Sequence, residues 1–179
     1  MAAFDAARDF LAGRGLDHRG RSRDDILGWP DDRLEAEHDF IQWLFPLDQP
    51  SPVNPWAPVP TPAQFAALAE DPAVRAGALA ACRRMLSFYG LERTADGRVV
   101  KAAHWGDTDW ARWPTHNDRR LSRMLRSLSL LGLRDEACAL LTALEALMAE
   151  CRDATGRAEP LRHWRAAVSA ERPAPRPGR

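Results

Sequence analysis

Four polar residues near the middle of the chain have the types and the spacing of an anion-binding surface. His116, Arg120 and Arg123 occur at i, i+4 and i+7, which places them on one face of a helix. Asn117 lies beside them at the predicted helix start, where N–H groups and the helix dipole favour a negative charge. Arginine binds carboxylate or phosphate through paired hydrogen bonds. The pattern therefore predicts a site for a peptide carboxylate or a phosphate.

The same face has a second interpretation, which the sequence leaves open. Residues 116–134 hold five arginines and one aspartate, a net charge of +4. Residues 1–50 hold eleven acidic residues and six arginines, a net charge of −5. Arg120 can therefore pair with a carboxylate such as Glu35 or Asp39, or the whole face can be solvated.

His38 and Gln42, one helical turn apart, are two further candidate ligand contacts. His38 lies on an apolar stripe, so it also fits a neutral core residue that makes one hydrogen bond. If His38 and His116 face each other in a pocket, the chain can instead be an enzyme. Its substrate would then be a phosphorylated or nucleotide-like small molecule.

Other chemistries lack their sequence patterns. The five histidines never occur as HxxxH or HExxH, and no CxxC, GxSxG, GxGxxG or Walker sequence exists. We therefore expect no metal, no cofactor and no catalytic residue. Zero net charge argues against nucleic acid binding through the Arg119–Arg126 face. Three scattered cysteines, no signal pattern and no long apolar run predict a cytoplasmic chain with free thiols and no membrane contact.

Helices must position these residues, because apolar residues recur with a period of 3.6 in most segments. The sequence predicts helices at about 4–12, 32–45, 62–70, 72–89, 116–131, 134–151 and 159–168, with one helical turn at 24–28. The segment 32–45 is apolar almost all round, so we expect a buried central helix that begins with a capping box of Asp32 and Glu35. Gly132 lies in a short link, which predicts that the helices on either side pack as an antiparallel hairpin.

Seven prolines between residues 46 and 62 exclude a helix or a central strand there. Val53, Trp56 and Val59 recur at every third residue, which is the polyproline II repeat and places them on one side. We therefore predict an ordered extended strap at residues 46–60, with Trp56 packed against the domain. The alternative is a disordered linker. Further along, Asp96-Gly97 predicts a small β-hairpin.

Three blocks of the sequence, the first of which comprises two stretches, resemble the opioid growth factor receptor conserved region. Residues 34–46 read Leu-Glu-x-x-His-Asp-Phe-Ile-Gln-Trp-Leu-Phe-Pro, and residues 54–57 read Asn-x-x-Ala. Residues 85–90 read Met-Leu-x-Phe-Tyr-Gly, and residues 116–128 read His-Asn-x-x-Arg-Leu-Ser-Arg-Met-Leu-x-Ser-Leu. The resemblance covers about residues 24–148. Phe40, Arg119 and Ser129 depart from the family pattern, which often has Tyr, Leu and Gly at these positions.

The resemblance implies a non-enzymatic, receptor-like domain that binds a peptide or protein segment, and the residues at the start of the 116–131 helix add a small anionic ligand as another possible partner. The family name implies an opioid pentapeptide as the ligand in animals. The 179 residues contain no stretch like the long repeat-bearing extension of the animal receptor, and their arginine- and alanine-rich composition predicts a bacterial source and permits a different ligand.

We therefore predict an all-α fold with a single compact helical domain of six to seven helices at residues 1–171. The proline-rich extended strap should lie across the central helix, and residues 172–179 should form a disordered tail. The predicted ligand-binding residues are His38, Gln42, His116, Asn117, Arg120 and Arg123.

Overall fold

Helices account for most of the described chain, which comprises residues 3–108, 110–111, 115–150 and 158–169 of a computed structural model. In chain order the elements are α1 (Ala3–Leu11), α2 (Arg23–Leu27), α3 (Asp31–Ala36), α4 (Ile41–Leu44), α5 (Pro62–Glu70), α6 (Pro72–Phe88), β1 (Leu91–Arg93), β2 (Val99–Lys101), a 3₁₀ turn (Trp105–Asp107), α7 (His116–Leu130), α8 (Arg134–Glu150) and α9 (Ala158–Ser169). The antiparallel pair β1–β2 is the only sheet within these ranges. The predicted all-α class and the small hairpin are therefore confirmed.

Side-chain caps fix where the clearly predicted helices begin. At the start of α5, Thr61 Oγ1 accepts a hydrogen bond from the Gln64 N–H, and the Gln64 side chain accepts one from the Thr61 N–H. At the start of α6, Asp71 Oδ1 accepts hydrogen bonds from the N–H groups of Ala73 and Val74. Proline follows the cap in both cases and is tolerated because the first helical N–H needs no partner within the helix.

The prediction of one central helix at 32–45 is wrong, because the segment forms α3 and α4 with a break at residues 37–40. Glu37 leaves the helical conformation with a ψ of 139°. Its carbonyl accepts a hydrogen bond from Arg120 Nη2 at 2.6 Å, and the Asp39 carbonyl accepts one from Asn54 Nδ2 at 2.6 Å. These bonds to distant segments replace bonds within a helix, so tertiary contacts override the local helical pattern.

The capping box predicted for Asp32 and Glu35 is also absent from the start of α3. The helix begins after Pro30, which provides no side-chain cap, and the Glu35 carboxylate accepts a hydrogen bond from Asn117 of α7. The burial predicted for this segment is confirmed, because every apolar residue from Leu34 to Phe45 other than Ala36 is at most 5% exposed.

The proline-rich strap is ordered as two successive turns. Ser51 Oγ accepts hydrogen bonds from the N–H groups of Val53 and Asn54, and Asn54 Oδ1 accepts one from the Trp56 N–H. The Asn54 carbonyl accepts a bond from the Ala57 N–H, which closes a β-turn around Trp56. Side chains of Ser and Asn therefore hold the strap in place of a polyproline helix.

Burial along the strap repeats every three residues as predicted, but the side of the strap that is buried is opposite to the predicted one. Ser51, Asn54 and Ala57 are buried, whereas Val53 is 60% exposed and Trp56 is 72% exposed. The prediction that Trp56 packs against the domain is therefore wrong. The inner face carries the polar residues because their side chains must bond the turns and, in the case of Asn54, the broken central segment.

The helix hairpin of α7 and α8 is confirmed, and α9 packs against both helices. Gly132 lies in the link with a φ of +71°, a conformation that favours glycine. Trp164 of α9 is fully buried, and its Nε1 donates to the Asp118 carbonyl of α7 at 3.0 Å. α7 is thus enclosed by α8, by α9 and by the segment around the central break.

Some sequence predictions fall beyond the described ranges. The predicted domain end at 171 and the predicted tail at 172–179 lie outside the described residues, as does Cys151. Cys82 and Cys138 are free thiols. Among the helices of the described ranges, none has the length and the apolar character needed to cross a membrane.

We expect Trp43→Ala to lower the free energy of unfolding by about 3–5 kcal/mol, because it removes a buried aromatic ring. Trp43 is 5% exposed, its ring centroid lies 5.3 Å from that of Phe10, and its Nε1 donates to His18 Nδ1 at 3.2 Å. Urea denaturation followed by circular dichroism measures the change. Trp56→Ala is the matched control, with an expected change within about 0.5 kcal/mol. Equal losses in the two variants would contradict the assignment of Trp43 to the core.

Candidate functional site

A cavity of about 950 Å³ opens along α7, bordered by α4 and the strap and by α9. We call it the α7 groove. Its lining joins polar side chains of α7 to apolar side chains of the segment 41–53, which include Ile41, Leu47 and Val53. The volume lies at the upper end of the range for ligand pockets, about 300–1,000 Å³. The groove therefore has room for several residues of a peptide and not only for a small ion.

Arg120, a predicted ligand contact, is 5% exposed and bonded within the protein. Its Nη2 donates to the Glu37 carbonyl at 2.6 Å, to the Glu35 carbonyl at 3.3 Å and to His38 Nδ1 at 2.9 Å. Its Nη1 donates to Asn117 Oδ1 at 3.3 Å and lies 3.7 Å from the Glu35 carboxylate. Burial lowers the pKa of Arg120, and this effect is opposed by Glu35. Most donors of Arg120 are thus used to hold α7 against the break after α3.

Asn117, another predicted contact, is 2% exposed and also bonded within the protein. Its Nδ2 donates to the Glu35 carboxylate at 3.1 Å, and its Oδ1 accepts from Arg120 and from the Tyr89 hydroxyl at 3.4 Å. Burial raises the pKa of Tyr89, which keeps that hydroxyl protonated as a donor. Asn117 and Arg120, both buried, therefore share one hydrogen-bond network with the half-exposed Glu35 carboxylate.

The N–H groups at the start of α7 are capped by the chain itself. Thr115 Oγ1 accepts a hydrogen bond from the Asn117 N–H at 3.2 Å, and the Asp118 carboxylate accepts one from the Thr115 N–H at 3.1 Å. The Asp118 carboxylate thus already occupies the start of α7, where the sequence predicts the anion of a ligand. This geometry favours an anion position further along α7.

His38 and His116 face each other at the edge of the groove, with ring centroids 4.9 Å apart and planes inclined at 62°. Because a guanidinium only donates, His38 Nδ1 is the acceptor in its bond with Arg120. His116 Nε2 lies 3.3 Å from the Glu35 carboxylate. Burial and, to a smaller extent, Arg120 lower the pKa of His116, while Glu35 raises it. Neutral imidazole is therefore favoured at His116 near pH 7.

Arg123 differs from Arg120 in its partners. It is half-buried, and its Nη1 donates to the Phe45 carbonyl at 3.0 Å. No carboxylate within the described ranges lies within 4.0 Å of its guanidinium. Burial lowers the pKa of Arg123 to about 10, so it remains a cation at neutral pH. Since a guanidinium carries five N–H donors, Arg123 can bind an anion in the groove.

Gln42 lies one turn after His38, and both line the α7 groove as the sequence predicts. Gln42 is 4% exposed, and its Nε2 donates to the His38 carbonyl at 3.1 Å. Its Oε1 is buried and has no hydrogen-bond partner among the residues that the structure describes. A residue of the groove wall thus holds a buried hydrogen-bond acceptor without a described partner.

The predicted ligand contacts do not include Arg119, which the sequence analysis considers only as part of the Arg119–Arg126 face. Arg119 is exposed, lines the groove, and has no carboxylate within 4.0 Å in the described part of the chain. Its i, i+4 spacing to Arg123 is the signal that could have found it. Arg126 lines the groove too, but it pairs with Asp48 at 3.0 Å.

The predicted absence of a metal site stays a prediction, although no suitable cluster of His, Cys, Asp or Glu side chains occurs within the described ranges. Of the six predicted residues, the α7 groove brings together His38, Gln42, His116, Arg120 and Arg123. Asn117 lies behind them in the hydrogen-bond network of Arg120 and Glu35.

Comparison with known proteins agrees with the three sequence blocks. Residues 26–174 match the family model described as the opioid growth factor receptor (OGFr) conserved region. The human opioid growth factor receptor is 37% identical over 116 residues, which covers 62% of this chain and 17% of that protein. The rat receptor is 39% identical over 116 residues, which covers 62% of this chain and 20% of that protein.

A more distant relative is the mouse opioid growth factor receptor-like protein 1, which is 32% identical over 103 residues. That match covers 56% of this chain and 22% of the mouse protein. No solved structure matches the chain. The chain spans about a fifth of the length of the curated relatives it matches. Because the family model matches most of the sequence, from the end of α2 to beyond α9, this chain belongs to the opioid growth factor receptor conserved region family.

Proposed function

We propose that this chain is a non-enzymatic binding module that holds a peptide or protein segment in the α7 groove. An anionic group of the ligand, a carboxylate or a phosphate, binds Arg123. The observation that carries this proposal is a half-buried guanidinium that faces a large groove and has no carboxylate partner among the described residues. The relatives are named as receptors for a growth factor, which supports a peptide or protein as the class of ligand.

The environment of Arg123 makes its interaction with an anion stronger than the same interaction on an open surface. Charge-assisted hydrogen bonds contribute about 1.5–3 kcal/mol each, and partial burial reduces screening by water and salt. Leu47 and Val53 give apolar side chains of the ligand a surface to cover. Gln42 Oε1 can accept a peptide N–H once its amide turns toward the groove.

In this proposal, four of the six predicted ligand residues contact or border the ligand, and the other two position the groove wall. Arg123 binds the anionic group, and His38, Gln42 and His116 border the bound segment. Arg120 and Asn117 are positioning residues, because they fix the wall between α7 and the central break through Glu35 and Glu37.

A second candidate function is an enzyme that acts on a phosphorylated or nucleotide-like small molecule. The observation in its favour is that His38 and His116 face each other at the groove, beside Arg123. Against it, the rings contact each other directly, and His38 Nδ1 is occupied by Arg120. Hydrolysis of bis(p-nitrophenyl) phosphate that is lost in His116→Gln would favour the enzyme, and no turnover would favour the binding module.

We expect Arg123→Gln to weaken binding of an acidic peptide by about tenfold or more, since it removes a charge-assisted hydrogen bond. The probe is a fluorescein-labelled pentapeptide amide, Leu-Gln-Leu-Glu-Leu, measured by fluorescence anisotropy. Arg98→Gln is the matched control, because Arg98 lies on the exposed turn of the hairpin, away from the groove. Thermal melting of both variants checks that the fold is kept. Unchanged affinity in the folded Arg123→Gln variant would refute the proposal.

Arg120→Ala is expected to destabilise the domain by about 2–4 kcal/mol, because it leaves the Glu37 carbonyl without a hydrogen-bond donor and removes one of the two donors to the buried Asn117 Oδ1. Urea denaturation measures the loss. The neighbouring substitution Arg119→Ala serves as the control and should change stability by no more than about 0.5 kcal/mol, since that side chain is exposed. If Arg120→Ala left stability unchanged and weakened only peptide binding, Arg120 would be a ligand contact and not a positioning residue.

A further inference from the structure

The α7 groove contains two cations that lack a carboxylate partner among the described residues. Arg123 is half-buried, whereas Arg119, four residues earlier, is exposed. Both line the groove, so the same helical face presents both to a ligand. With a rise of about 1.5 Å per residue, their backbone positions are about 6 Å apart along the helix axis.

We propose that the segment bound in the α7 groove is acidic and extended, with two carboxylates at alternate positions. One carboxylate binds Arg123 and the other binds Arg119. In an extended chain, residues i and i+2 lie on one side and about 6.6 Å apart, which matches the spacing of the two arginines. This inference rests on the proposed function and adds to it the chemistry of the partner.

Apolar side chains next to the acidic ones complete the match with the groove. Ile41, Leu47 and Val53 lie along its border, and Val53 is 60% exposed on the outer face of the strap. Pro52 lines the groove beside Val53. A segment in which acidic and apolar residues alternate therefore presents carboxylates to α7 and apolar groups to these borders.

The groove also limits where negative charge can bind. Glu159 of α9 lines it as well and lies 3.6 Å from His163 Nε2, whereas the Asp118 carboxylate is buried in the cap of α7. Carboxylates of a ligand are therefore attracted to Arg119 and Arg123 and repelled by Glu159. This separation of charge fixes which edge of the groove the acidic residues follow.

Two other ligands with regularly spaced anions fit less well. A single inorganic phosphate or a single terminal carboxylate leaves one arginine without a partner and most of the groove empty. A single-stranded nucleic acid has repeated phosphates, but its bases need aromatic side chains for stacking. No Phe, Tyr or Trp occurs among the described residues that line the groove.

The test compares four fluorescein-labelled pentapeptide amides by fluorescence anisotropy. They are the diacid Leu-Glu-Leu-Glu-Leu, its two versions with one Glu replaced by Gln, and Leu-Glu-Glu-Leu-Leu with adjacent acids. We expect the alternating diacid to bind about threefold to fivefold more tightly than the better single-acid peptide, since Arg119 is an exposed partner. The gain should vanish in Arg119→Gln and in about 0.5 M salt, where exposed pairs are screened.

Each outcome bears on a different claim. If the diacid binds no more tightly than the single-acid peptides, or if its gain survives Arg119→Gln, the second contact is wrong while the proposed function stands. If no acidic peptide binds and Arg123→Gln changes nothing, the proposed function itself fails. Equal affinity for adjacent and alternating acids would overturn the extended geometry. Tighter binding of a labelled oligothymidylate than of the diacid would overturn the peptide assignment.

Discussion

The buried guanidinium of Arg120 ties α7 to the break between α3 and α4, and the shape of the groove depends on that tie. A break in a helix leaves carbonyl groups without partners, and each such buried group costs about 1–3 kcal/mol if it stays unpaired. Arg120 donates to the carbonyls of Glu35 and Glu37, and Asn117 of the same helix bonds the Glu35 carboxylate. Because the guanidinium fork is rigid, these bonds fix α7 against the segment that forms the opposite border of the groove.

The sequence predicts those helices whose ends are set by local chemistry. Thr61 with Gln64, Asp71 and Thr115 cap helices that begin as predicted, because a cap and its N–H partners lie within four residues. The break at 37–40 has no such local signal. It depends on Arg120, more than eighty residues away along the chain, and on Asn54, so periodicity alone extends α3 into α4.

The proline-rich strap is a second example of a feature that the sequence pattern predicts only in part. The period of three in residues 51–57 is real, but a period does not say which face is buried. The hydrophobic ranking favours burial of Trp56, whereas the turns need the side chains of Ser51 and Asn54 on the inside. Asn54 also satisfies the Asp39 carbonyl of the break. The need to pair buried backbone groups in hydrogen bonds thus decides which side of the strap faces the domain.

The candidate site could be located from the sequence more easily than its residues could be assigned roles. Helical spacing groups His116, Arg120 and Arg123, which line one groove, and the uneven charge of the chain indicates the alternative in which Arg120 pairs with Glu35. Solvent exposure then distinguishes three arginines that the sequence pattern alone cannot distinguish. Arg120 is enclosed, Arg123 is half-buried with one carbonyl partner, and Arg119 is exposed. That sorting depends on where the segment 35–48 crosses α7, which no local pattern encodes.

The difference in burial separates the arginine that stabilises the fold from the two arginines that can bind a ligand. Arg120 and Arg123 occupy positions that match the family pattern, while Arg119 stands where that pattern has Leu. Replacing an exposed Leu by Arg leaves the hydrogen-bond network of Arg120 untouched, because position 119 faces the groove and not Glu35. On our proposal, Leu at position 119 would remove the second cation while leaving Arg123 in place, so such a chain should lose the preference for a second carboxylate in the ligand.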